Sequence, residues 1–135
     1  MSIKELTCIG CPIGCALTVD FDDNKKVVLS VSGNNCKIGE RYAHKELTNP
    51  TRIVTSSIKV IDGELAMVSV KTKEDIPKDK IFDIMKEIHE TKVKAPISIG
   101  DVLIHNVAGT NVDIVATKNI DKSEYMKFCK TYKAV

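Results

Sequence analysis

Four of the five cysteines in this 135-residue chain fall near its N-terminus, with the spacing C-x2-C-x3-C-x20-C. Such a cluster constrains the fold strongly, because thiols that act together must be brought to one point. The N-terminus has no apolar signal core, so we expect a cytoplasmic protein, where clustered thiols are more often metal-binding or redox-active than disulfide-bonded. The clustered residues, called here the four cysteines, are Cys8, Cys11, Cys15 and Cys36, and the fifth is Cys129.

The segment between the third and fourth of these cysteines predicts a β-hairpin. Residues 16–21 and 26–32 alternate between apolar and polar side chains, and turn-forming residues 22–25 separate them. The two ends of a hairpin lie side by side, so the loop of residues 8–15, the cysteine loop, is expected to meet the fourth cysteine. The side chains expected on the buried face are Leu17, Val19 and Phe21 of the first strand and Val27, Leu29 and Val31 of the second.

The remaining pattern predicts an α+β protein of two lobes and a tail. Residues 37–47 favour a short helix that Asn49-Pro50 ends, and Pro50 marks the expected lobe boundary. We therefore predict a cysteine-rich metal lobe over 1–50, a small α+β lobe over 51–120 and a basic helical tail over 121–135. Beyond the boundary we expect a hairpin of residues 52–61 and 64–72 around Asp62-Gly63. A helix over 77–90 should follow, with an apolar stripe of Ile81, Ile84, Met85 and Ile88. A second hairpin of residues 101–107 and 111–117 and a helix over 121–135 complete the expected elements.

The spacing of the four cysteines favours a 4Fe–4S cluster. Three of the ligands come from one short loop, and the fourth lies 21 residues further along the chain. Gly10, Pro12 and Gly14 bend the cysteine loop, and its small residues leave backbone N–H groups free to point at sulfur. Zinc is the alternative, although structural zinc ligands usually arrive as two C-x2-C-type pairs. A metal-free thiol redox sensor is the third interpretation. The four cysteines are the predicted ligands in either metal site, and Cys129 is expected to remain a free thiol.

The cysteine segment resembles the N-terminal iron–sulfur segment of the molybdopterin oxidoreductases, such as formate dehydrogenase and nitrate reductase. The resemblance lies in Cys8-Ile-Gly-Cys11-Pro-Ile-Gly-Cys15 and in Cys36-Lys37-Ile-Gly39. It implies that the four cysteines hold a 4Fe–4S cluster. It also implies a relay position for Lys37, since the family's lysine after the fourth cysteine lies between cluster and pterin. The resemblance covers the first 45 residues or so and carries over no molybdenum chemistry.

The chain as a whole resembles a small uncharacterised family of cysteine-motif proteins from clostridia and other anaerobes. The shared segments are Cys36-Lys-Ile-Gly-Glu-Arg-Tyr-Ala, Asn49-Pro50-Thr51-Arg52 and Val70-Lys71-Thr72 followed by Ile76-Pro77. Members of that family are similar to accessory proteins encoded beside FAD-dependent dehydrogenases of the glycerol-3-phosphate type. The resemblance therefore implies a flavin-dependent dehydrogenase as partner.

Charge and motif content exclude several other functions. Twenty basic against eighteen acidic residues give a net charge of +2, which argues against nucleic-acid binding driven by overall charge. No apolar run approaches the roughly 18 residues of a membrane helix. The sequence lacks flavin and nicotinamide fingerprints, so we predict no catalytic residue and an electron-transfer accessory protein, with a zinc-stabilised interaction module as the alternative. Electrons must then cross an interface, which we place on the cysteine-loop face. Lys37 and Arg41, four residues apart on one helix face, are expected to lie beside it.

Overall fold

The computed structural model describes residues 1–124, and over this range the chain is a mixed α+β protein. It divides into two compact units, Met1–Thr51 and a second unit that begins at Arg52. None of the helices in the described residues has the length and apolarity that crossing a bilayer requires. The predicted tail falls largely on residues 125–135, so the helix expected there, together with Cys129, lies outside the described residues.

The first unit is an antiparallel sheet of three strands followed by a helix in the described chain. The strands are β1 (Ser2–Thr7), β2 (Ala16–Asp22) and β3 (Val27–Ser32), in the spatial order β1-β2-β3, and the helix is α1 (Lys37–Thr48). The predicted hairpin and helix are thus confirmed, and the N-terminal residues add a strand to the hairpin's free edge.

One buried face of β2 anchors the core of this unit. Leu17, Val19 and Phe21 are all buried, as their alternation predicts. They pack with Val28 and with Ala43 of α1 in one apolar cluster. Burying these side chains at about 25 cal/mol per Å² of apolar surface is the main stabilising contribution to the unit.

The predicted face of β3 is wrong. Val27 and Leu29 are 47% and 50% exposed, whereas Val28 between them is buried. The cause is a β-bulge: the register shifts just before Phe21, which pairs with Val28, so the ladder skips Leu29. A one-residue shift moves every following side chain to the other face, and Val31 beyond the bulge therefore still packs against the core.

The second unit is built on a five-stranded sheet within the described residues. The elements that follow α1 are β4 (Thr51–Arg52), β5 (Thr55–Ile61), β6 (Met67–Thr72), β7 (Ile76–Pro77), a 3-10 turn (Lys78–Lys80), α2 (Ile81–Glu90), β8 (Lys92–Lys94), β9 (Val102–Ile104), a 3-10 turn (Val107–Gly109) and β10 (Ile114–Ala116). The spatial order of the five strands is β8-β5-β6-β10-β9. Strands β5 and β8 are parallel, and the other three neighbouring pairs are antiparallel. Strands β4 and β7 pair in a separate short ladder.

The predicted hairpins and the central helix of this unit are confirmed. The apolar stripe of α2 buries Ile84 and Ile88 against the sheet core, with Ile81 and Met85 packed at its margin. The tail prediction is wrong over residues 121–123, which pair with the turn of residues 62–64 through backbone hydrogen bonds instead of starting a helix. Those bonds satisfy backbone groups on both segments, which a helix starting at residue 121 would leave unpaired.

Candidate metal centre

Cys8 and Cys15 lie directly opposite each other, one residue beyond the paired ends of the antiparallel strands β1 and β2. The ladder pairs Thr7 with Ala16, and one step further the Cys8 N–H donates to the Cys15 carbonyl at 2.8 Å. Opposite residues of an antiparallel pair project to the same face. That face is the buried one, since Cys8 is 4% exposed and Cys15 packs half-buried against the same core as Leu17. The first and third predicted ligands are therefore neighbours.

The cysteine loop folds against the first turn of α1. A Cβ built on Gly10 would lie against the Ile38 side chain and 3.6 Å from the Cys8 sulfur. The glycine at this position therefore allows the loop backbone to approach the helix closely. Cys11 follows directly in a bend of the loop and is half-buried.

Cys36 lies at the start of α1, at the same end of the sheet as the cysteine loop. The chain reaches it through Gly33, whose φ of +84° is left-handed and whose Cβ would strike the Ala16 carbonyl oxygen. Two residues beyond it, Ile38 touches the loop at Gly10. Contacts on both sides of Cys36 thus keep it at the end of the sheet where the cysteine loop lies.

The sulfur atoms of the four cysteines do not form a ligand set in this structure. Among residues 1–124, no three His, Cys, Asp or Glu side chains are grouped so that they could hold a metal ion. The four cysteines are free thiols whose exposure increases from buried Cys8 through half-buried Cys11 and Cys15 to exposed Cys36. In donor chemistry and backbone placement they fit a thiolate-bound centre. The side chains must rotate, and the loop must adjust, for four sulfurs to face one point.

The N-terminus of α1 adds a favourable electrostatic environment. Cys36 is its N-cap residue with extended backbone, and its side chain makes no capping hydrogen bond. Such groups carry partial positive charge and favour an anion beside them. A set of thiolates is anionic, so the helix end and the cysteine loop are matched in charge.

A cationic face runs along α1 from the site. Lys37 and Arg41, predicted to share one face, are both exposed and line the same open groove of 730 Å³. The sequence reasoning did not include His44 in this face, although its spacing three residues after Arg41 places it there. The groove lining is Lys37, Glu40, Arg41, His44, Lys45 and Thr48.

Three exposed isoleucines lie in or beside the cysteine loop, and we call them the isoleucine rim. Ile9 and Ile13 within the loop are 76% and 71% exposed, and Ile38 on α1 is 40% exposed. They were not among the predicted site residues. Their exposure could have been expected, because a short glycine-rich loop has little core in which large aliphatic side chains can be buried. Exposed apolar clusters of this kind commonly mark interaction surfaces.

Comparisons with known proteins give a family and a structural relative. The family model described as Protein of unknown function (DUF1667) matches residues 37–118, so the match begins directly after Cys36. The NMR structure of Clostridium perfringens protein CPE0013 is similar at 30% identity and a TM-score of 0.50, over 54% of this chain and 87% of that one. No curated protein matches the chain.

Proposed function

This chain belongs to the DUF1667 family of proteins of unknown function, and we propose that it is a small iron–sulfur electron-transfer protein. The observation that carries the proposal is the backbone placement of three of the four cysteines. Cys8 and Cys15 lie opposite each other at the ends of two strands, and Cys36 is held beside them at the start of α1. The sequence spacing of three ligands plus one favours a cubane cluster over the paired knuckles of zinc sites.

Each part of the site has a distinct role in this proposal. Buried Cys8 anchors the centre to the core, and Gly10 and Gly33 let the loop and the helix start approach the strands. A bound 4Fe–4S cluster supplies reversible one-electron transfer. With four thiolates the centre carries a net negative charge, which the first-turn N–H groups of α1 behind Cys36 favour. The cytoplasm, where thiols stay reduced, is the fitting compartment.

We propose a flavin-dependent dehydrogenase as the redox partner, in line with the resemblance to accessory proteins encoded beside such enzymes. Support comes from the surface around the cysteine loop. The isoleucine rim offers an apolar contact, and Lys37 and Arg41 flank it on α1. Interfaces typically have an apolar centre and a polar or charged periphery. The charges mainly speed association with a partner of opposite charge. The partner surface should therefore be acidic.

Metal and sulfide analysis of the anaerobically purified chain tests the cluster. We expect a brown protein with iron and acid-labile sulfide in the amounts of one 4Fe–4S cluster per chain. Bound zinc without iron would instead support the zinc-stabilised interaction module. A protein that takes up neither metal under anaerobic reconstitution would overturn both.

Charge reversal tests the docking face. The double variant Lys37→Glu, Arg41→Glu should slow cluster reduction by a reduced dehydrogenase of the glycerol-3-phosphate type by about tenfold or more at low salt, since steering changes association rates by roughly 10–10³-fold. The matched control is Lys25→Glu, Lys26→Glu, which makes the same charge change in the turn at the far end of the hairpin. Equal rates in the two variants would remove this face from consideration.

A further inference from the structure

The C-x2-C spacing alone would favour Cys8 and Cys11 as the redox-active pair, but the strand register favours another. Cys8 and Cys15 are opposite each other, joined by the 2.8 Å backbone hydrogen bond between them. The hydrogen-bonded pairs of an antiparallel ladder have Cα atoms about 5.5 Å apart. Disulfides span Cα separations of about 4.4–6.8 Å. The two strand-end cysteines therefore meet the Cα separation that a disulfide requires, and a small adjustment at the strand ends would bring their Cβ atoms into bonding range.

We propose that Cys8 and Cys15 form a reversible disulfide in the metal-free protein, and that this disulfide closes the site to metal. Both thiols are free and belong to the same face of the sheet, where they pack in one apolar cluster. Cys11 lies outside the ladder, in the bend of the loop, so the strand register does not place it opposite either neighbour. The regulatory role rests on the proposed function of the four cysteines as ligands; the pairing itself does not.

Exposure sets the order of the chemistry with a low-molecular-weight disulfide such as oxidised glutathione. Half-buried Cys15 is accessible, whereas Cys8 is 4% exposed. The Cys15 thiolate attacks one glutathione sulfur, forming a mixed disulfide and releasing one glutathione thiolate, which takes up a proton. The Cys8 thiolate then attacks the Cys15 sulfur and releases the second glutathione. The two protein thiols lose two electrons and two protons, and one glutathione disulfide becomes two glutathione thiols.

The disulfide would act as a switch, because the chain could bind metal only when Cys8 and Cys15 are reduced. Oxidation removes the first and third of the four thiolates together and ties the two ends of the cysteine loop to each other. The remaining pair, Cys11 and Cys36, cannot complete a four-ligand centre. Reduction by a dithiol restores all four, so metal uptake should follow the thiol redox state.

Three two-cysteine variants test the pairing in metal-free full-length protein. Serine replaces the other three cysteines to leave Cys8 with Cys15, Cys8 with Cys11, or Cys11 with Cys15. Each variant is equilibrated with mixtures of reduced and oxidised glutathione, and mass spectrometry counts intramolecular disulfide and glutathione adduct. We expect Cys8 with Cys15 to oxidise at a glutathione ratio about tenfold more reducing than either other pair, which corresponds to about 30 mV. Equal or easier oxidation of Cys8 with Cys11 would overturn the proposal.

A second measurement uses the wild-type chain and separates this inference from the proposed function. Peptide mapping after oxidation by glutathione disulfide should find Cys8 joined to Cys15, and iron uptake should fall until dithiothreitol is added. Correct pairing in a chain that never binds metal would refute the cluster and leave the thiol pair standing. Metal binding in a chain whose oxidised form pairs other cysteines would refute this inference and leave the cluster standing.

Discussion

Replacing Gly33 by alanine should disturb the turn that delivers Cys36 to the site. Gly33 has a φ of +84°, and an added Cβ would strike the Ala16 carbonyl oxygen and lie 3.2 Å from the Ala16 carbonyl carbon. Both atoms belong to the backbone of β2, which the ladder to β1 holds in place. The clash therefore cannot be relieved by rotating a side chain.

The expected cost has two parts. A non-glycine residue in the left-handed region costs about 1–2 kcal/mol. Forcing extra volume into packed structure typically costs a further 1–3 kcal/mol or so. Gly33→Ala should therefore destabilise the first unit by about 2–5 kcal/mol. Gly14→Ala is the matched control, because Gly14 has a φ of +65° in the same unit, but its Cβ would lie 3.8 Å from Thr7 Cγ2, an ordinary van der Waals distance.

Amide hydrogen exchange resolved by segment measures this difference. Exchange of residues 16–22 should accelerate by at least about 30-fold in Gly33→Ala, since each 1.4 kcal/mol is about tenfold. In Gly14→Ala the acceleration should stay near tenfold. Residues 67–72 of the second unit serve as the reference in every sample. Equal acceleration in the two variants would show that the close approach at Ala16 carries no energy, and the turn argument would fail.

Three smaller predictions concern other contacts. Thr72→Val removes the buried hydroxyl that accepts the Val54 N–H at 3.1 Å and should cost about 1–3 kcal/mol in urea unfolding; a neutral result would contradict the need for that acceptor. Glu87→Ala removes the carboxylate that accepts the Ala108 N–H at 2.7 Å, and it should destabilise by about 1–3 kcal/mol, with Glu87→Gln close to wild type; equal loss in both would refute the hydrogen bond's role. Ile13→Ser, at a position 71% exposed, should change stability by less than about 0.5 kcal/mol while it slows reduction by the dehydrogenase; an unchanged rate would exclude the isoleucine rim as the contact.

The sequence predicts a strand's buried face correctly when the alternation of apolar and polar residues matches the face that the fold buries. The alternation of Leu17, Val19 and Phe21 is confirmed because β2 is the central strand and buries one face along its whole length. The predicted buried face of β3 is wrong because of the bulge at Leu29. The position of a bulge depends on how two strands pair, and the sequence of one strand does not determine that pairing. The three-residue β8 was missed because its pairing is parallel to the distant β5 and its length is too short for a period.

The candidate site shows the same limit. The sequence brings the cysteine loop and Cys36 together through the hairpin, and the structure confirms the hairpin and the helix that follows. The opposition of Cys8 and Cys15 depends on the register of β1 against β2, and β1 is not part of the predicted hairpin. The contact of Ile38 with Gly10 depends on the path of α1 over the loop, which no local pattern encodes.

Iron and sulfide content of single cysteine-to-serine variants, reconstituted anaerobically, tests the central claim most directly. Cys8→Ser, Cys11→Ser, Cys15→Ser and Cys36→Ser should each lose most of the iron and sulfide that the wild-type chain binds. Cys129→Ser, the matched control with the same chemical change outside the predicted ligand set, should retain the wild-type amounts. Iron binding that survives all four replacements, or that disappears in Cys129→Ser, would contradict a centre held by the four cysteines.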